Sequence, residues 1–190
     1  MRRAAVFLDR DGCVTEEVGY VNHVDRLALL PHAAAAIRKL NAAGAPAVLV
    51  TNQAGAARGY FPATLIDKVH RRLDELLAAE GARLDGIYYS PFVKGAAVPP
   101  FNVEHRWRKP NVGMLEASAA DLDLDLSRSF MVGDKITDVE LAHRAGARGV
   151  FVLTGYGKGD LENFGPQWRD RPDFIAEHLE AAVDWILTVR

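Results

Sequence analysis

The sequence has a single cysteine, Cys13, in 190 residues. An internal disulfide is thereby excluded, and so is a metal site built from several thiolates. No apolar run approaches the length of a membrane span, and the opening MRRAAVFLDRDG becomes charged too early for a leader segment. The expectation is a cytoplasmic protein with no membrane partner. Neither sign of charge dominates: 23 Lys and Arg stand against 25 Asp and Glu, a net charge of −2. So weak a global field gives no reason to expect a nucleic-acid partner. Internal repeats, low-complexity segments and linkers are also missing. The remainder, 49% hydrophobic and 25% charged, suits one globular domain over residues 1–190 with a substantial core.

Short apolar runs alternate with helical patterns along the chain. The runs AAVFL (4–8), APAVLV (45–50), LDGIYYS (84–90), SFMVGD (129–134) and GVFVLT (149–154) read as strands. Helices are expected over PHAAAAIRKLNAAG (31–44), with Pro31 in the first turn and Gly44 as the stop, and from Pro62 to Glu80. Others should follow Val112 and run from Ile136 to Ala145. FIAEHLEAAVDWIL at the end reads as a short strand or turn and an amphipathic helix. Residues 12–30 look loop-like, and 90–111 and 154–172 look irregular, which in a compact domain suggests functional loops. Continuous apolar strands between helices imply an α/β fold, a three-layer Rossmann-like sandwich around a parallel sheet. No insertion is long enough to build a large cap domain. Ligands bind such sheets beyond the carboxyl ends of the strands.

Those ends carry the charge. The first strand delivers Asp9-Arg10-Asp11-Gly12, the second Thr51-Asn52-Gln53, and the fourth Gly133-Asp134-Lys135 with Asp138 one turn on; Arg108-Lys109-Pro110 opens a helix. On an extended chain Asp9 and Asp11 share a face and Arg10 points away. Two such carboxylates repel, so at least one pKa should rise unless a cation sits between them. Asp9, Asp11 and Asp134 around one point offer hard oxygen ligands suited to Mg2+. Thr51 and Lys109 could hold phosphoryl oxygens. One carboxylate could then attack phosphorus while the other moves the proton. Each element alone has an ordinary structural reading, and Asp138 could be a simple helix N-terminal charge. Their common position at strand ends argues for chemistry.

FLDRDG (7–12), VTNQ (50–53), RKP (108–110) and VGDKITD (132–138) resemble, in order, the motifs of the haloacid dehalogenase superfamily of phosphatases. GYV (19–21), TNQAGAARGYF (51–61), DGIYYSP (85–91) and RKPNVGML (108–115) resemble more narrowly its heptose-bisphosphate phosphatase branch and the related histidinol-phosphate phosphatases. The resemblance implies a phosphatase acting on a small phosphorylated sugar, a sugar bisphosphate first, through an aspartyl-phosphate. Asp9 would be the nucleophile and Asp11 the general acid/base, with Thr51 and Lys109 stabilising the phosphoryl group. Asp9, the backbone carbonyl of Asp11, and Asp134 would hold Mg2+. Arg108, Glu17, Val18, Gly19, Tyr20, Asn52, Gln53 and Ala54 would contact substrate, and Arg58 suits a second phosphate. Histidinol phosphate is the competing substrate, and a silent phosphosugar-binding protein the competing class. Two repelling carboxylates count against the latter. A monomer is expected.

The chain departs from the family it resembles in two places. Cys13 stands where the superfamily usually has Thr; a thiol is the weaker donor, which should soften the local structure. Many relatives carry a loop zinc on Cys and His pairs, where this chain has Ser90, Phe92, His105 and Trp107. His105 alone could bind, and structural zinc needs four ligands, so no zinc is expected. Phe92, Val98, Phe101 and Trp107 are candidates for an apolar cluster that holds the loop instead. His23 lies near the flap, and the helical histidines His32, His70, His143 and His178 are expected at the surface.

Overall fold

The computed structural model describes residues 2–190. Six strands, β1 (Val6–Leu8), β2 (Ala47–Asn52), β3 (Gly86–Ser90), β4 (Phe130–Gly133), β5 (Arg148–Val152) and β6 (Phe174–Ala176), form one sheet in the order β3-β2-β1-β4-β5-β6. Every pairing is parallel. Side-chain alternation along the strands builds two cores. Val6, Leu8, Leu49, Phe130 and Val132 face one side, where they pack with α1 (Ala33–Ala42), α2 (Thr64–Ala79) and α6 (Leu179–Val189). Ala5, Phe7, Val48, Val50 and Met131 face the other, against α3 (Gly113–Leu122) and α4 (Ile136–Arg144). Helices on both faces bury both, which is why the strands lack polar alternation. The result is the expected three-layer α/β sandwich. No helix is long and apolar enough to cross a membrane among the described residues.

The chain builds outward from β1 to β2 and β3, then returns to add β4 on β1's other side. The strand order therefore reverses at β1/β4, and a crevice opens beyond their carboxyl ends. The strand ends that carry Asp9 and Asp134 are the two beside it. Residues 12–30 cross this edge as a flap with one short 3-10 turn, Val24–Arg26, capped by His23 Nδ1 accepting from Asp25 N. Arg26 braces the flap through Tyr20 O at 3.0 Å and Asn22 Oδ1 at 2.9 Å.

The expected irregular stretch 154–172 instead holds a helix, α5 (Gly157–Phe164), and a 3-10 turn, Gly165–Gln167. Gly157 and Gly159 lower helix propensity and hide it in the sequence. In the loop 91–112, Phe92 stacks on His105, ring centroids 3.9 Å apart, and meets Phe101 edge-on at 5.8 Å. Trp107 meets His105 edge-on at 6.3 Å and also packs with the α3/α4 core, edge-on to Tyr88 at 6.3 Å, so the expected group is joined by His105 and reaches from the loop to the core. The Phe101 N–H donates to Val98 O, and the Val98 N–H in turn donates to Ala57 O.

Candidate active site

A cavity of about 390 Å³ lies at the switch point, lined by Asp9, Asp11, Thr51, Lys109, Lys135 and Tyr156 among others. Its floor answers the charge problem posed by Asp9 and Asp11. Lys109 Nζ is 2.9 Å from Asp9 Oδ2, 2.7 Å from Asp138 Oδ1 and 3.2 Å from Val50 O, with its side chain almost fully buried. Burial pulls the lysine pKa down, but Asp138 and Asp9 outweigh it and leave the ammonium raised and charged. Asp9 Oδ1 accepts from Arg10 N at 2.7 Å.

Arg10 does not point away as strand geometry alone suggests. Its guanidinium, buried to 1% exposure, turns back and forks onto Asp11, Nε to Oδ1 at 3.0 Å and Nη2 to Oδ2 at 2.9 Å. A long side chain can leave its Cβ direction, and a buried guanidinium needs a carboxylate. Each carboxylate of the pair thus has its own cation.

Gln53 lines the cavity, yet its amide is spent on protein partners. Its Oε1 accepts from Arg10 at 2.9 Å, and its Nε2 donates to Asp11 Oδ2 at 2.9 Å and Thr51 Oγ1 at 3.0 Å. Asn52 clasps the backbone of Lys109: its Oδ1 accepts from Lys109 N at 3.0 Å and its Nδ2 donates to Lys109 O at 3.3 Å.

Asp134 is fully buried. Its Oδ2 accepts from Tyr156 N at 2.8 Å, whereas Oδ1 is buried with no donor facing it. Burial, then the charge of Asp9, push its pKa up to about 7. Gly12, at φ +81°, and Gly155 both pass so close that a Cβ on either would overlap this carboxylate. Thr154 Oγ1 donates to Gly12 O at 2.6 Å, joining the end of β5 to that of β1. Asp138 is also buried and serves twice, pairing with Lys109 and accepting from Lys135 N at 3.3 Å. Burial raises its pKa to about 6 against the opposing pull of Lys109. Carboxylate oxygens of Asp9, Asp134 and Asp138 lie within 4.8 Å of one another. Three close carboxylates, all oxygen donors, one with an orphaned oxygen, fit a hard divalent cation.

The mouth is looser. Glu17, Gly19, Tyr20, Ala54, Arg58 and Arg108 line it, but Val18 does not: its side chain packs against the core behind the flap. Arg108 donates Nη1 to Phe92 O at 3.1 Å. Half-burial, then the neighbouring Arg58, lower its pKa, so two guanidinium groups share this wall. Lys135 sits 4.7 Å above the Tyr156 ring and 3.5 Å from Glu17 Oε2. Cys13 is buried, its thiol donating weakly to Val132 O at 3.6 Å.

His70, expected at the surface, is instead buried at 5% exposure, with Nε2 3.4 Å from Arg10 Nη1. The signal was present, since Ile66, Val69, His70, Leu73 and Leu77 form one helical stripe. Thr154 and Tyr156 were overlooked, although they follow a strand end as the other site residues do.

Residues 106–182 match the HAD-hydrolase-like family. The D-glycero-D-manno-heptose-1,7-bisphosphate 7-phosphatase of Thermosynechococcus vestitus is 50% identical over 192 residues, covering 99% of this chain and 97% of that protein. The D-glycero-beta-D-manno-heptose-1,7-bisphosphate 7-phosphatase of Yersinia pestis is 37% identical over 96% of this chain and 89% of its own length. Among solved structures, D,D-heptose 1,7-bisphosphate phosphatase from B. bronchiseptica, complexed with magnesium and phosphate, superposes with a TM-score of 0.84 at 30% identity, covering 98% of this chain and 99% of that one. With its strand-end carboxylates, its buried lysine and these relatives, the chain belongs to the heptose-bisphosphate phosphatase family of the HAD-like hydrolases.

Proposed function

We propose that this chain hydrolyses the 7-phosphate of D-glycero-D-manno-heptose 1,7-bisphosphate through an aspartyl-phosphate on Asp9, with Mg2+ as cofactor and as a monomer. The observation that carries the reading is the convergence of Asp9, Asp11, Thr51 and Lys109 on one cavity, in a chain that matches a heptose bisphosphatase over nearly its whole length.

Asp9, oriented by Arg10 N and Lys109, attacks phosphorus as the bond from phosphorus to the sugar oxygen breaks. Asp11 gives its proton to the departing alkoxide. It takes one back from the water that then attacks phosphorus and releases phosphate from Asp9. Thr51 Oγ already accepts from Gln53, so its own hydrogen is free to donate to a phosphoryl oxygen. The Lys109 ammonium offsets charge that develops on those oxygens. Asp9, Asp134 and the backbone carbonyl of Asp11 would hold Mg2+, which when bound neutralises phosphoryl charge. Arg58 and Arg108 supply a cationic wall for the second phosphate, with Glu17, Gly19, Tyr20 and Ala54 around the sugar.

Phosphate release from both heptose 1,7-bisphosphate anomers, fructose 1,6-bisphosphate and histidinol phosphate, with and without Mg2+, tests the reading. The expected result is a Mg2+-dependent preference for a heptose bisphosphate. Preference for histidinol phosphate would overturn the substrate, and binding without turnover would favour a silent phosphosugar binder. Metal analysis of the same preparation should find no stoichiometric zinc, because His105 is engaged by Phe92 and by the N–H of Trp107.

A further inference from the structure

We infer that His70, on α2, is a positioning residue for this reaction, setting the orientation of Asp11 and, by way of Gln53, of the Thr51 hydroxyl through its contact with Arg10. The inference rests on the acid/base role proposed for Asp11.

A guanidinium has five N–H donors and no acceptor, so each of its buried neighbours must offer a lone pair. Arg10 spends Nε on Asp11, and Nη2 on Asp11 and Gln53. Among the described residues the one side chain facing Nη1 is His70, through Nε2 at 3.4 Å. Nε2 must therefore be the bare nitrogen, with the ring hydrogen on Nδ1. A protonated ring would set two cations against each other in a buried site. Burial first, then Arg10, hold the His70 pKa down to about 3, and Asp67 on the same helix opposes this only weakly. Tyr89 closes the pocket, its ring 5.2 Å from His70 and its hydroxyl donating to Asp67 Oδ1 at 2.9 Å.

His70 thus fixes the guanidinium plane from behind. The fork in turn fixes the Asp11 carboxylate and, through Gln53 Oε1, which way the Gln53 amide faces. That amide donates to Thr51 and directs the hydroxyl hydrogen toward the cavity. The ring touches no reacting atom and acts from the core side of the site.

The test pairs His70→Gln with His70→Met, flexible chains of similar volume of which only the first keeps a strong acceptor. Both are assayed in Mg2+ buffer on heptose 1,7-bisphosphate and on p-nitrophenyl phosphate, whose leaving group needs no proton. His70→Gln should stay within about threefold of the unsubstituted enzyme. His70→Met should lose about ten- to fiftyfold in kcat on the sugar phosphate with KM within about twofold; on p-nitrophenyl phosphate the first step should keep its rate within about threefold, seen as a burst of p-nitrophenol, while the shared hydrolysis of the aspartyl-phosphate slows. Equal losses for both variants, or a first step on p-nitrophenyl phosphate slowed as much as turnover of the sugar phosphate, would overturn the inference and leave His70 as packing. In the unsubstituted protein, the 15N shifts of the ring should report the Nδ1–H tautomer at neutral pH. An Nε2–H tautomer rejects the inference even if neither variant folds. Failure of the function reading is separate, because it would show as an unsubstituted enzyme inactive on the bisphosphate.

Discussion

On the floor of the cavity the cations are buried and held against carboxylates, Lys109 by Asp9 and Asp138, and Arg10 by Asp11. At its mouth, Arg58 is exposed, and Arg108 is half-buried beside it with a single carbonyl for a partner. The floor stands on strand ends and helix starts, whereas the mouth stands on a flap and loops. The difference separates two tasks. Charges that act on a transferring group need a low dielectric and fixed geometry, so they have protein partners before any ligand arrives. Cations that select a ligand gain more by lacking a partner, since the incoming phosphate then supplies it.

Substitutions at the two levels should therefore fail differently. Asp9→Asn strikes the floor hardest: turnover should fall by at least about 10⁴-fold in a protein with unchanged circular dichroism. Residual activity above that level would remove Asp9 as the nucleophile. Lys109→Met leaves Asp9 and Asp138 buried without their cation. It should cost about 10²–10³-fold in kcat and about 3–5 kcal/mol of stability in urea unfolding. A loss of activity with full stability would show that the floor tolerates an unpaired carboxylate.

The floor should also be sensitive to pH through His70. The folded protein keeps this ring neutral down to about pH 3, whereas the unfolded chain takes up a proton near the ordinary value of 6.5. Its contribution to stability is therefore complete above about pH 6.5 and is lost as the pH falls towards about 3. Urea unfolding at pH 7 and pH 5 should differ by about 2 kcal/mol more than in His70→Met, which lacks the group. An equal pH dependence in both would place the ring in a more polar setting than the structure shows. The mouth should give the smallest effect. Arg108→Ala should raise KM for a bisphosphate about tenfold, with kcat within about threefold and stability unchanged. A kcat defect like that of Lys109→Met would erase the distinction between the two levels.

Sheet and floor were legible in the sequence for one reason. A buried parallel strand is a continuous apolar run, so charged residues at its end stand out, and Asp9, Asp11, Thr51 and Asp134 all lie at such points. The contacts behind them were less legible. The reach of Arg10 back to Asp11 depends on side-chain torsions that alternation does not describe, and Gln53 reads as a loop amide until its three partners are placed. His70 was hidden by its chemistry, a polar residue in an apolar stripe. Helix α5 was hidden by its glycines. Val18 was misplaced because adjacent flap residues turn to opposite sides, one towards the cavity and the next into the core.

The Asn52 clasp has a consequence for the long loop between β3 and α3. The loop is fastened to the sheet at Lys109 by two bonds to the end of β2. Its interior, from Phe92 to Arg106, is held by the ring stack of Phe92 and His105 and the Val93 N–H to Phe101 O bond, and touches the site's mouth where Phe92 O accepts from Arg108 and Val98 N–H donates to Ala57 O. Residues between those points can be inserted, deleted or regrouped while the lysine keeps its place, so drift in the loop's length and composition reaches the mouth before it reaches the floor.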